Sequence, residues 1–153
     1  MKHLSRLLSL LILVSAGVFF ANCGGGGGED PNPQQEALDK LVGTWTVSSA
    51  TLNGSPKAEF EDAKLNITSA KVFNFTQDVG SIDASPWPAS VSWDFGSDIN
   101  TTITRKDAGG NIPLTYSVSG NTLTIHIDDY TGESYAIGRV ESVEGDWVFT
   151  FSK

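Results

Sequence analysis

Two hydrophobic patterns divide the chain. From Leu7 to Ala21 apolar residues run almost without a break, interrupted only by Ser9, Ser15 and Gly17. Beyond Gly43 they recur at every second position. Ile112, Leu114, Tyr116 and Val118 alternate with Pro113, Thr115 and Ser117; Ser119-Gly120-Asn121 supplies a turn; Leu123, Ile125 and Ile127 then alternate with Thr122, Thr124 and His126. Successive strand residues point to opposite faces, so this stretch predicts a β-hairpin with one apolar face. Phe73 with Phe75, Val91 with Trp93 and Phe95, and Trp147 with Phe149 and Phe151 repeat the theme. So do Trp45 with Val47, Leu65 with Ile67, and Tyr135 with Ile137. Asp107-Ala108-Gly109-Gly110-Asn111 reads as a second hairpin turn, between Thr101–Lys106 and Ile112–Val118. Only Gln34–Leu41 breaks the alternation, with Ala37, Leu38 and Leu41 spaced for one short helix that ends by Gly43. The pattern gives an all-β fold of eight or nine strands, a barrel or a sandwich. One-sided strands joined by short hairpins favour an antiparallel up-and-down barrel of about eight strands, because closure leaves no open edge.

The apolar run follows Met1-Lys2-His3-Leu4-Ser5-Arg6, a short basic start. A positive segment and a short apolar core describe a secretory leader, and the run falls short of the roughly 20 residues that a membrane-spanning helix needs. It ends at Phe20-Ala21-Asn22-Cys23, which resembles the lipobox of bacterial lipoproteins; Cys23 is the one cysteine in the chain, so no intramolecular disulfide can form. The resemblance implies residues 1–22 as a signal peptide and Cys23 as the lipidated residue, carrying acyl chains such as palmitate and holding the protein to a membrane. Each buried methylene contributes ~0.8 kcal/mol, so several chains anchor firmly. Residues 23–33 form a flexible tether, with five glycines at 24–28 and prolines at 31 and 33. Glu29-Asp30 resembles the acidic export signal of surface lipoproteins in Bacteroidota-type bacteria. The expected location is the bacterial cell envelope, the outer membrane rather than the inner, with surface exposure implied. Residues 34–153 form the folded domain.

Charge narrows the partners. The formal net charge of −8 becomes more negative once Lys2 and Arg6 leave with the leader. Nucleic acid and anionic headgroups both require Lys and Arg, so neither is an expected partner. Reactive groups are scarce. His126 is the one histidine beyond the leader, and strand parity places it outside. A zinc site of His and Cys ligands is excluded, and no metal or cofactor is expected. No G-x-S-x-G elbow or Walker loop occurs, so no catalytic residue is assigned and the chain does not read as an enzyme. Asp128 to Glu133 is an acidic turn without the spacing of an EF-hand, and reads as a solvated hairpin tip.

Leu41-Val42-Gly43-Thr44-Trp45-Thr46-Val47 resembles the G-x-W signature of lipocalins, and the hairpin around Gly120 and the closing Trp147–Phe151 resemble lipocalin-like bacterial lipoproteins. The resemblance implies that Gly43 opens the first strand and that Trp45 plugs the closed end of the barrel. Asp128-Asp129-Tyr130 echoes the family's T-D-Y motif. For the basic residue that packs over the Trp, Arg139 is the candidate by parity; an ordinary solvated Arg is the alternative.

The inward-facing aromatics Trp45, Phe73, Phe75, Trp93, Phe95, Tyr116, Trp147 and Phe149 are core, or core that also lines a ligand pocket. Each contributes ~1.5–3 kcal/mol on burial, and a barrel of about eight strands holds at most one small ligand. Trp87, between Pro86 and Pro88, falls in a loop; exposed, it could stack on sugars or close a barrel mouth, while local packing is the commoner outcome. Two functions fit: binding a small apolar or amphipathic ligand, or a non-catalytic accessory role toward a protein or glycan partner at the cell surface.

Overall fold

The computed structural model describes residues 32–77, 85–135 and 143–153. Cys23, Ile137 and Arg139 lie outside them. The unit Asn32–Lys153 opens with helix α1, Pro33–Leu41. Asn32 caps it by accepting from the Gln34 N–H at 3.1 Å, and Pro33 sits at the start, where no N–H is missed. Ala37, Leu38 and Leu41 are its buried residues.

The strands are β1 (Gly43–Leu52), β2 (Ser55–Pro56), β3 (Lys64–Ile67), β4 (Val72–Thr76), β5 (Ser90–Phe95), β6 (Thr102–Asp107), β7 (Gly110–Ser119), β8 (Thr122–Tyr130) and β9 (Gly145–Ser152), with a 3-10 turn at Ala58–Phe60. All pairings are antiparallel; β1 pairs with β3, each later strand pairs with the next in the chain, and β9 returns to pair with β1. This closes an eight-stranded up-and-down barrel; β2 is an extra strand on the end of β1. The sandwich alternative is thereby excluded. Long β1 serves two neighbours: Gly43–Thr46 pairs with β3, and Thr46–Leu52 pairs with β9 across a register shift near Ser48. The hairpin between β6 and β7 is tighter than its five-residue turn signal, since Asp107 already pairs with Gly110. Tyr135, expected in a strand with Ile137, lies outside any strand.

Alternation sets which end each residue reaches. Helix α1, the connections β3–β4, β5–β6 and β7–β8, and Lys153 share one end. The connections β4–β5, β6–β7 and β8–β9 share the other. The barrel closes its own sheet and contains its own core, the two conditions for folding without the preceding residues.

Candidate functional site

The α1 end is shut. Trp45 is 0 % exposed, and its indole N–H donates to Leu41 O, the end of α1, at 2.7 Å. Lys153 Nζ lies 4.2 Å from the centre of the Trp45 ring and donates to Val42 O at 2.8 Å. Lys153 passes so close to Gly43 that a β-carbon there would stand 2.9 Å from Lys153 Cε, and Gly43 has φ +137°, a backbone that side chains rarely adopt. Among the described residues the cation over Trp45 is Lys153, brought there by the β1–β9 closure; Arg139, the candidate for that place, lies outside them.

The interior is aromatic along its length. Trp45, Phe73, Phe75, Trp93, Tyr116, Trp147 and Phe149 are all buried. Phe95 is only half-buried and departs from this set: it sits at the α1 end beneath Lys71, whose Nζ is 5.5 Å from the ring centre. Tyr116 donates its hydroxyl to Ile99 O, and burial raises its pKa above the usual value, helped by the charge of Asp98. Trp147 donates its indole N–H to Val143 O at 2.8 Å. Tyr130 is buried too, its hydroxyl bound to Glu133 O at 2.7 Å, while Asp128 and Asp129 are exposed. His126 lies on the outer face, opposite Thr115 and Val148.

A polar centre sits among these rings toward the other end. Ile103, Arg105 and Asp107 share the inward face of β6. Arg105 is 0 % exposed. Its Nε donates to Asp107 Oδ1 at 2.6 Å and its Nη2 to Asp107 Oδ2 at 2.7 Å. Tyr135 donates its hydroxyl to the same Oδ2 at 3.1 Å. Burial, together with the Asp107 charge beside it, pushes the Tyr135 pKa up to about 12. The guanidinium lies 5.2 Å from the ring centre of Trp87 and 5.8 Å from that of Tyr130. Its third nitrogen, Nη1, is buried without a partner, as are the indole N–H groups of Trp87 and Trp93. Trp93 is the register partner of Arg105 on the neighbouring strand. Each unpaired buried donor costs ~1–3 kcal/mol, so the cluster calls for an acceptor.

Trp87 comes from a loop yet is 2 % exposed. It packs into the barrel, as the commoner outcome for such a loop residue has it, and offers no surface ring for sugars. Its indole stacks on Phe75 at 5.5 Å and meets Phe73 and Phe149 edge-on. Arg105 and Asp107 are missing from the sequence-predicted site. The available signal was parity: Arg105 and Asp107 stand two and four positions after Ile103, the one apolar residue of β6. Among the described residues no group of His, Cys, Asp and Glu side chains is placed to hold a metal ion.

A closed eight-stranded meander with a helix before it and a Trp shutting one end defines a lipocalin-type barrel. A family model described as a lipocalin-like domain matches residues 41–144, and the chain belongs to that family. No curated protein and no solved structure matched the chain.

Proposed function

We propose that this protein is a lipid-anchored envelope protein whose barrel binds one small apolar or amphipathic molecule. The observation that carries the reading is the buried Arg105, a cation among aromatic rings with one N–H face left without an acceptor. Fully buried guanidinium groups in a core are costly and are usually fully paired. A core serving stability alone gains nothing from a spare donor there, whereas a pocket gains an anchor for the polar atom of its ligand. The anchor reading is supported by Cys23 after its apolar leader and by Glu29-Asp30 beyond it; on that reading the barrel is tethered by lipid at the cell envelope, to the outer membrane rather than the inner.

Native mass spectrometry of Asn32–Lys153 purified from cells tests the binding. A discrete added mass, or a Trp fluorescence shift on adding lipids or haem, is expected. A bare polypeptide mass with no such shift overturns the reading. Radiolabelled palmitate tests the anchor: the full chain should incorporate it, and Cys23→Ser should abolish incorporation. Label retained in the variant would remove the anchor from the proposal.

A further inference from the structure

We propose that the slot filled by Trp87 is the ligand site, and that its ligand is a flat, uncharged, conjugated molecule whose carbonyl oxygen takes the free N–H of Arg105. The inference rests on the ligand-binding reading above and specifies its chemistry.

Three features of the centre lead there. The first is the origin of Trp87. Phe73, Phe75, Trp93 and Phe149 stand on strands, Phe73 and Phe149 paired in the ladder on both sides and Phe75 and Trp93 on one. Trp87 enters from a loop between two prolines, its N–H bound to Ser85 Oγ at 3.1 Å, two residues back. The turn is tied to the barrel outside the ring, by Tyr135 N–H to Ser85 O at 2.9 Å and Phe75 N–H to Ala89 O at 3.0 Å, so the ring can leave without breaking a strand pairing. The second is the shape of the slot. Phe75 stacks on the indole with an interplanar angle of 17°, Phe73 and Phe149 close the sides at 84° and 75°, and Arg105 covers it. A slot that takes an indole takes another flat bicyclic system of that size, and no larger void is required. The third is charge. Asp107 already neutralises Arg105 through both oxygens. A ligand carboxylate would enter a site holding a buried anion and would be repelled by it. A neutral carbonyl accepts from Nη1 without that repulsion. Four buried polar atoms lack a partner among the described residues: Gln77 Oε1, beyond β4, is an acceptor, and the three beside the slot, Arg105 Nη1, Trp87 Nε1 and Trp93 Nε1, are donors. They ask for an oxygen acceptor, and with Trp87 withdrawn two remain to serve it.

A matched series of probes separates these claims: 2-acetylnaphthalene, 2-naphthoate and 2-ethylnaphthalene share one ring system and differ in the acceptor. Titration calorimetry on Asn32–Lys153 should rank the ketone first. Its advantage over the ethyl compound should be roughly tenfold or more, the ratio that one hydrogen bond from a charged donor sets. Trp87→Ala vacates the slot and should tighten the ketone further, because no side chain is displaced. The indole proton signals of the unmodified barrel give an independent readout should that variant fold poorly. On ketone binding, the Trp87 and Trp93 signals should move and the Trp87 proton should exchange faster with solvent, while those of Trp45 and Trp147, bonded to Leu41 O and Val143 O, stay in place. Asp107→Asn should reverse the ranking toward 2-naphthoate.

Equal affinity for ketone and ethyl compound would overturn the carbonyl assignment while leaving a ligand-binding barrel. So would 2-naphthoate ranking first in the unmodified protein. Saturation by the ketone with an unmoved Trp87 signal would overturn displacement. Failure of all three probes to bind the unmodified barrel and the folded Trp87→Ala variant would overturn this proposal. If the purified barrel nonetheless carries an added mass, the broader reading stands without it.

Discussion

Trp45 and Trp87 are both buried, and each lies against a cation, but the two arrangements differ in completeness. At the α1 end every polar group of the pair is used. The Trp45 N–H ends on Leu41 O, and the Lys153 ammonium ends on Val42 O with its remaining face at the surface. At Arg105 the cation is wholly enclosed and paired with Asp107, yet one guanidinium nitrogen and two indole N–H groups have no acceptor. Both ends use the attraction between a cation and a ring. The first has every polar group paired, and the second leaves three donors without an acceptor.

Substitutions can test whether the contrast holds. The largest effects should come from Arg105→Met and Trp45→Ala, each destabilising by ~3–5 kcal/mol in urea unfolding. Their causes differ, so their rescue differs. Arg105→Met strands the Asp107 carboxylate inside the barrel, and adding Asp107→Leu should recover much of the loss. No second change should refill the cavity at Trp45. If the double substitution is no better than the single one, the buried ion pair is not the source of the penalty.

Gly43→Ala comes next, at ~1–3 kcal/mol, because φ +137° is strained for a side chain and Lys153 must be pushed from its place. Lys153→Met should cost less, ~0.5–1 kcal/mol, as expected for an exposed cation over a ring. A loss from Lys153→Met as large as that from Arg105→Met would erase the distinction between the two ends.

A pH dependence tests the Arg105 end separately. Tyr135 has its pKa raised to about 12 in the fold against an ordinary 10. The folded state therefore holds this proton more tightly than the unfolded chain does. The contribution is complete below pH 10, and is lost as pH rises from about 10 through about 12. Melting temperatures across that range should fall less steeply in Tyr135→Phe. Equal slopes would place the Tyr135 hydroxyl away from Asp107.

The barrel was legible because its outer and inner faces differ in composition. Ile112–Ile127 alternates cleanly, and the structure pairs Tyr116 with Ile125 and Val118 with Leu123 as that alternation requires. Gly43 and Trp45 were legible through a motif. The polar centre was not, because hydrophobic alternation marks buried positions only where they are apolar. β6 has the single apolar residue Ile103, so a buried Arg105 looks there like any surface arginine. Burial of Trp87 is decided by loop packing, and the position of Lys153 by pairing across more than a hundred residues between β1 and β9. Arg139 lies outside the described residues.

The β1–β9 seam also sets the plumbing of the chain ends. Lys153 rests on Val42 O, so the end of β9 lies beside the start of β1 at the α1 end, with Asn32 at the other end of the helix. A linker as long as α1 could join Lys153 to Asn32 and the chain be reopened at Gly109, the tip of the β6–β7 hairpin, giving a circular permutant with the same barrel. Attachments made through Lys153 meet the protein at the end closed by Trp45, away from Arg105.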